Sequence, residues 1–301
     1  AVLLLAGCSL GANGSQDDLQ QSDVAGDLTE LPPDQNSGNP LDVLSDSIAV
    51  EGEFLLLTYN VAGLPKEFSD EKPEINNAKI SPYLNDFDLV LVQEDFAYHS
   101  DLSADVTLPY QSEPFVVTET MPDGLNRFSV YPFPPVERFA WEVCSGVLDK
   151  ANDCLAAKGF SVAPVEISPG NNILVYNLHM DAGGHEEDIA ARSAQVDQLL
   201  TDIASRGTGQ AIIVAGDTNL RMKRPEDVVS LDRLLSEASL ADSCRFLECN
   251  DEHIDRVLFR SGESLTLTPT SWSIPTNFVD EEGDDLSDHE PVEVRVTWEL
   301  D

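Results

Sequence analysis

Asp217 and Asn219 stand two residues apart in the stretch Ala211–Leu220, AIIVAGDTNL. On an extended chain, residues i and i+2 share a face, so this acid and amide address one phosphate or one metal ion together. Three other clusters are built alike. Asn60 closes FLLLTYN, Glu94 follows LVLVQ, and His179 with Asp181 follows ILVYNL. A fifth, Ser287-Asp288-His289-Glu290-Pro291, precedes the alternating segment Val292–Trp298. Carboxylate and amide oxygens suit a hard divalent cation. Two histidines add groups that titrate near neutrality, as acid–base chemistry requires. A turn with a helix cap accounts for any one cluster, but five of them beside strands point to a shared site.

The elements that position these residues are short apolar runs rich in β-branched residues, which read as buried strands. Ligands of α/β sheets bind beyond the carboxyl ends of such strands. Strands are predicted at Phe54–Tyr59, Leu89–Gln93, Ala140–Cys144, Gly159–Val165, Ile173–Leu178, Ala211–Val214, Asp255–Phe259 and Val292–Trp298, with a Thr/Leu alternation over Ser264–Ser273. Helices are predicted at Asn76–Leu84, Glu186–Ala204 and Pro225–Ser236. The second carries Ile189, Val196, Leu199, Leu200 and Ile203 on one face. Strand–Asn60–helix–strand–Glu94 is echoed by strand–His179–helix–strand–Asp217, with spacings of 34 and 38 residues. The echo predicts two similar sheets packed together.

The chain has 301 residues, with 17 Lys+Arg against 55 Asp+Glu and a formal charge of −38. So acidic a surface keeps the protein soluble and suits saline surroundings. It disfavours extended nucleic acid as a partner, because binding DNA or RNA leans on Lys and Arg at phosphates. Residues 1–8 read as a signal-peptide remnant, in which Leu5-Ala6-Gly7-Cys8 is similar to a bacterial lipobox. A cut elsewhere, as in an ordinary signal peptide, is the competing reading. Under the lipobox reading Cys8 is the lipidated first residue, and Ser9 after it is compatible with retention in an outer membrane. Residues 9–50 are rich in Asp, Ser, Gly, Asn and Pro and contain no Lys or Arg, which reads as a flexible acidic linker. The folded domain is expected over residues 51–301. Export favours disulfides among Cys144, Cys154, Cys244 and Cys249, and proximity favours Cys144–Cys154 with Cys244–Cys249, one of three connectivities. The spacings are not those of a zinc site.

In the order Asn60 (LTYN), Glu94 (LVQED), His179 (NLHMD), Asp217 and Asn219 (GDTN), Asp255 (IDRV) and Asp288-His289 (SDHEPV), the chain resembles the endonuclease/exonuclease/phosphatase superfamily, the DNase I-like phosphoesterases. Within it, LTYNVAGLP, Lys158-Gly159-Phe160, NLHMDAG and Thr270-Ser271-Trp272 are most similar to bacterial neutral sphingomyelinases and related lipoproteins. The resemblance implies an α/β fold, a four-layer sandwich of two mixed β-sheets face to face with helices outside. It implies an essential divalent cation, expected to be Mg²⁺, on Glu94 with Asn60 nearby and Asp288 in the metal or water network. It implies His289 as general base oriented by Asp255, Asp217 and Asn219 positioning water and phosphate, and His179 donating to a phosphoryl oxygen or assisting the leaving group.

The expected activity is phosphodiester hydrolysis of sphingomyelinase type by a monomer held at the bacterial cell envelope by its lipid anchor, or secreted. Sphingomyelin or another choline phospholipid is the expected substrate. A DNase I-like extracellular nuclease, an inositol-phosphate phosphatase and a non-catalytic surface-binding lipoprotein are the alternatives. Outside the set, Asp181 reads as a turn residue or supporting partner. His99, His185 and His253 read as exposed loop histidines. Lys158 reads equally as a substrate contact or a solvated side chain. Asp280–Asp285 reads as a solvated loop, and Trp272, Ile274 and Phe278 as core packing rather than a membrane-touching tip.

Overall fold

A computed structural model describes residues 49–69, 72–115, 121–146, 154, 156–249 and 252–301. Cys8 and the expected linker through residue 48 lie outside the described residues. Ser47–Asp301 forms one compact unit.

The strands build two six-stranded mixed sheets. The first runs β11 (Leu265–Ser273), β12 (Val292–Leu300), β1 (Glu51–Asn60), β2 (Leu89–Gln93), β4 (Asn126–Ser129), β3 (Tyr110–Gln111). The second runs β5 (Glu137–Ala140), β6 (Gly159–Ser168), β7 (Asn171–His179), β8 (Ile212–Asp217), β10 (Asp255–Arg260), β9 (Ala241–Asp242). Each sheet has one parallel pair, β1 with β2 and β7 with β8, and the echo in the sequence maps onto these two pairs.

The strands are nearly continuous apolar runs because both faces are covered. Phe54, Leu56, Leu89 and Leu91 meet Ile173, Val175, Ile213, Ala215 and Val257 between the sheets. On the outer face of the first sheet, Leu57, Tyr59, Val90 and Val92 pack with Ile80 and Leu84. On the outer face of the second, Tyr176, Leu178, Ile212 and Val214 pack with Val196, Leu199, Leu231 and Leu234 of α3 (Glu186–Arg206) and α4 (Pro225–Glu237). Alternation then places Asn60, Gln93, Asn177, His179, Asp217 and Asp255 on the inward faces, at the end where the apolar rows stop. All six are buried.

Two elements differ from expectation. The helix predicted at Asn76–Leu84 is α1 (Pro73–Ile80), with Pro73 in its first turn, followed by a 3₁₀ turn Ser81–Asp86. Pro82 lacks the N–H that an α-helix needs there. The strand predicted at Ala140–Cys144 is β5, which stops at Ala140. Trp141 instead turns its indole inward to donate Nε1–H to the His179 carbonyl at 2.7 Å. The chain beyond it leads to the disulfide Cys144–Cys154, and a second disulfide joins Cys244 to Cys249. Phe278 is core, packed edge-on against Tyr59.

The buried face of α3 also carries Arg192 and Gln195, which an apolar stripe does not reveal. Arg192 pairs with buried Asp227 at 3.0 Å and donates Nη1 to the carbonyls of Asp181, Ala182 and Gly183. It thereby holds the loop that follows His179. Removing one partner of a buried pair leaves the other uncompensated. Arg192→Met is expected to cost about 3 kcal/mol, read as a lowered urea midpoint at unchanged m-value; an unchanged midpoint would contradict this role.

Candidate active site

Strand alternation alone would point Glu94 away from the inter-sheet space, as it does Val92. Glu94 escapes by taking a left-handed backbone, φ 56, and Asn219 does the same after Asp217, φ 50. A non-glycine residue there costs of order 1 kcal/mol. Gly216 at φ 135 permits the approach of β8 to β7, since a Cβ would sit 2.0 Å from the Leu178 carbonyl oxygen.

These backbone turns bring the polar groups of both sheets together. Asn60 donates Nδ2 to Glu94 Oε1 at 3.1 Å and to Asp217 Oδ2 at 3.4 Å. Asp217 Oδ2 also receives Asn219 Nδ2 at 3.1 Å and lies 3.2 Å from His179 Nε2. His179 and Asp217 are direct register partners, as are Asp217 and Asp255. His289 Nδ1 meets Asp255 Oδ2 at 2.8 Å, leaving Nε2 3.7 Å from Asp217 Oδ2. Ser287 fixes the incoming loop by donating Oγ to the Asn60 carbonyl at 2.7 Å and accepting from the His289 N–H.

The electrostatics follow from burial and proximity. Burial by itself would raise the Asp217 carboxyl, but His179 and then His289 hold it well below the ordinary carboxylate range. Asp255 is raised, first by burial and next by the negative charge of Asp217. Burial works against a charged His289, yet the hydrogen bond and charge of Asp255 raise it to about 10. In the absence of a cation this imidazole is therefore protonated at neutral pH.

Seven of the eight residues expected from the sequence share this cleft: Asn60, Glu94, His179, Asp217, Asn219, Asp255 and His289. Asp288 does not join the hydrogen-bonded set. It is exposed and lines a cavity of about 370 Å³ with Lys72, Asn76, Asp280, Asp284, Asp285 and Ser287, and it reaches the site through its charge on His289. The reason is alternation within the loop, where Ser287 and His289 turn inward and Asp288 outward. Two histidines differ from the exposed positions expected. His99 is held by buried Asp95 at 2.6 Å, and His253 packs against Trp272. His185 is exposed, at the N-cap of α3. Asp181 is buried and accepts the Ser145 N–H at 2.6 Å, as a supporting residue would. Gln93 and Asn177, buried behind the site, were not singled out by the sequence. Their signal was a lone amide at an inward position of an otherwise apolar strand.

The donor set fits a hard cation. Glu94 keeps its carboxylate partly exposed, beside Asn60 and 3.9 Å from His179 Nε2. Candidate ligand atoms of Asp217, Asp255 and His289 also lie within 4.8 Å of one another. Asn60 turns Nδ2 toward Glu94 and Asp217, and its Oδ1 accepts the Ala62 N–H.

Face-to-face mixed sheets with this cleft at their strand ends define a DNase I-like α/β sandwich. The chain belongs to the endonuclease/exonuclease/phosphatase family; the description "Endonuclease/Exonuclease/phosphatase family 2" matches residues 85–251, more than half of it. A sphingomyelinase of Mycobacterium tuberculosis is 31% identical over 276 residues, covering 84% of this chain and 54% of that protein. The chain thus spans about half the length of this relative. Among solved structures, a mutant beta toxin from Staphylococcus aureus with bound magnesium ions superposes with a TM-score of 0.60 at 17% identity, covering 81% of this chain and 99% of the toxin. A humanized D. rerio TDP2 gives 0.63 at 18%, covering 81% and 98%.

The Asp255–His289 contact has a direct test. In the cation-free protein, Asp255→Asn is expected to bring the His289 pKa down from about 10 toward the ordinary value near ~6.5. The imidazole Cε1–H chemical shift followed against pH measures it, and an unmoved titration would remove Asp255 as the cause.

Proposed function

We propose that the chain is a divalent-cation-dependent phosphodiesterase of sphingomyelinase type. The observation that carries this reading is the Asp255–His289 pair facing Asp217, with Glu94 linked to the same carboxylate through Asn60. Glu94 holds the cation, Mg²⁺ in this reading, with Asn60 beside it. The cation supplies polarisation of a phosphoryl oxygen and offsets charge on the leaving group.

The chain's own residues do the rest. His289 Nε2 accepts a proton from the attacking water, and Asp255 orients the ring and stabilises the imidazolium, the usual carboxylate–imidazole logic. Asp217 and Asn219 position the water and the phosphate. His179, held on Asp217, donates to a phosphoryl oxygen or assists the leaving group. A binding module would have no use for this whole set.

The substrate reading rests on the sphingomyelinase relative and on the distribution of cations. Arg127, Arg192 and Arg256 are buried, while Arg138, Arg206, Arg224, Arg233, Arg245 and Arg295 are engaged in ion pairs. Among the described residues Lys66, Lys79 and Lys223 are paired as well, and with 17 Lys+Arg against 55 Asp+Glu the balance favours a zwitterionic choline phospholipid such as sphingomyelin over DNA. Anchoring through Cys8, with residues 9–50 as tether, would bring the domain to a membrane surface of the cell envelope.

Sphingomyelin vesicles and plasmid DNA presented in parallel, with Mg²⁺ or with EDTA, test the reading. Phosphocholine release that requires Mg²⁺ is expected, without nicking. Glu94→Ala and His289→Ala are each expected to lower kcat about 10²–10⁴-fold, and wild-type turnover in both would overturn the mechanism. DNA nicking alone would overturn the substrate.

The pH dependence has a definite sign. His289 works as the free base and its pKa is raised, so kcat/KM is expected to increase with pH along an acidic limb. A cation offsets the carboxylates that hold the imidazolium. The limb should therefore move to lower pH as Mg²⁺ concentration rises. A limb fixed at one pH across Mg²⁺ concentrations would contradict this.

A further inference from the structure

We propose that Gln93 and Asn177 are positioning residues that set the distance between the sheet bearing Glu94 and the sheet bearing His179 and Asp217. The inference rests on the functional reading above, since it assigns those two sheets the cation and the phosphate.

Gln93 ends β2 immediately before Glu94, and Asn177 precedes His179 by two residues on the same inward face of β7. Neither is exposed to solvent. Gln93 donates Nε2 to Asn177 Oδ1 at 2.7 Å, directly across the inter-sheet space. Asn177 returns Nδ2 to two carbonyls of the first sheet, Val92 at 2.9 Å and Asn126 at 3.1 Å. Gln93 Nε2 is also shared with Thr58 Oγ1 within its own sheet at 3.1 Å. A further tie lies alongside, where buried Arg127 of β4 crosses to the Val175 and Ser161 carbonyls at 3.3 Å.

Apolar contact between sheets is non-directional and tolerates small slides. Hydrogen bonds in a low-dielectric interior are directional and strong. The amide clasp is a directional contact of this kind, one residue behind Glu94. Its stability value is limited, because Gln93 Oε1 is buried without a hydrogen-bond partner. An apolar pair of similar volume would avoid that desolvation cost. What the amides add is a fixed separation, seen as the 3.9 Å between Glu94 Oε1 and His179 Nε2.

The test uses Gln93→Met and Asn177→Leu, with Asn177→Ser as the milder variant should the leucine form fail to fold. Thr58→Val is the control, as it removes the same-sheet bond to Gln93 and leaves the clasp. Mn²⁺ binding is measured by calorimetry without substrate, and kcat and KM are measured with sphingomyelin vesicles. Circular dichroism confirms folding at the working temperature. The clasp variants are expected to weaken Mn²⁺ binding and lower kcat by about 10–100-fold, the range for residues that orient a ligand set. KM should change little. Thr58→Val should lower Tm and leave Mn²⁺ affinity and kcat as they were. Folded clasp variants with wild-type Mn²⁺ affinity would overturn the proposal, and so would a Thr58→Val variant that loses Mn²⁺ as strongly. If the wild type hydrolyses no sphingomyelin, the substrate reading fails on its own, and Mn²⁺ affinity still decides the role of the clasp.

Discussion

The Asp217 carboxylate is the group on which both sheets converge. One of its oxygens lies within 3.1–3.7 Å of nitrogens from Asn60, His179, Asn219 and His289. Asn60 belongs to the first sheet, His179 is the register partner of Asp217 in the second, and His289 arrives on the loop before β12. A buried carboxylate is costly unless paired and hydrogen-bonded, so the surrounding groups have little freedom to move away. The constraint that keeps Asp217 charged also gathers the cleft.

The rest of the molecule can be seen as scaffolding for that convergence. The inward rows of β1, β2, β7 and β8 begin apolar and end polar, and that of β10 starts at Asp255, so the hydrophobic core between the sheets gives way to polar groups at one end of the sandwich. Outside, α3 is held to the loop after His179 by Arg192, whose guanidinium satisfies three consecutive carbonyls and Asp227. Buried cations are thus used internally.

Departures from ideal strand geometry occur where the chemistry needs them. Glu94 and Asn219 take left-handed backbone conformations immediately after a strand, and Gly216 lets two strands approach. A regular strand would have directed the Glu94 carboxylate into the outer layer of helices. Strain of this kind persists only when the surroundings over-determine it. Here they include the Gly63 N–H on the Glu94 carbonyl at 3.0 Å and the Asn60 amide on its side chain.

Much was legible in the sequence. The strands, their echo in two halves, the polar residues at their ends and the ordered motifs up to SDHEPV all lay in local pattern, because alternation and turn chemistry are local physics. That is why seven of the eight expected catalytic and metal residues meet in one cleft, and why both disulfides join the cysteines nearest in sequence. The tertiary structure decided what depends on partners far along the chain. Asp288 turns outward because its loop is pinned through Ser287 to Asn60, 227 residues away. β5 stops at Ala140 because the Trp141 indole is drawn to the His179 carbonyl. His99 and His253 are half-buried against Asp95 and Trp272. The Gln93–Asn177 clasp spans two sheets, and no spacing in the sequence reveals it. Local pattern fixes which way a side chain leaves its strand, and only packing decides what it meets there.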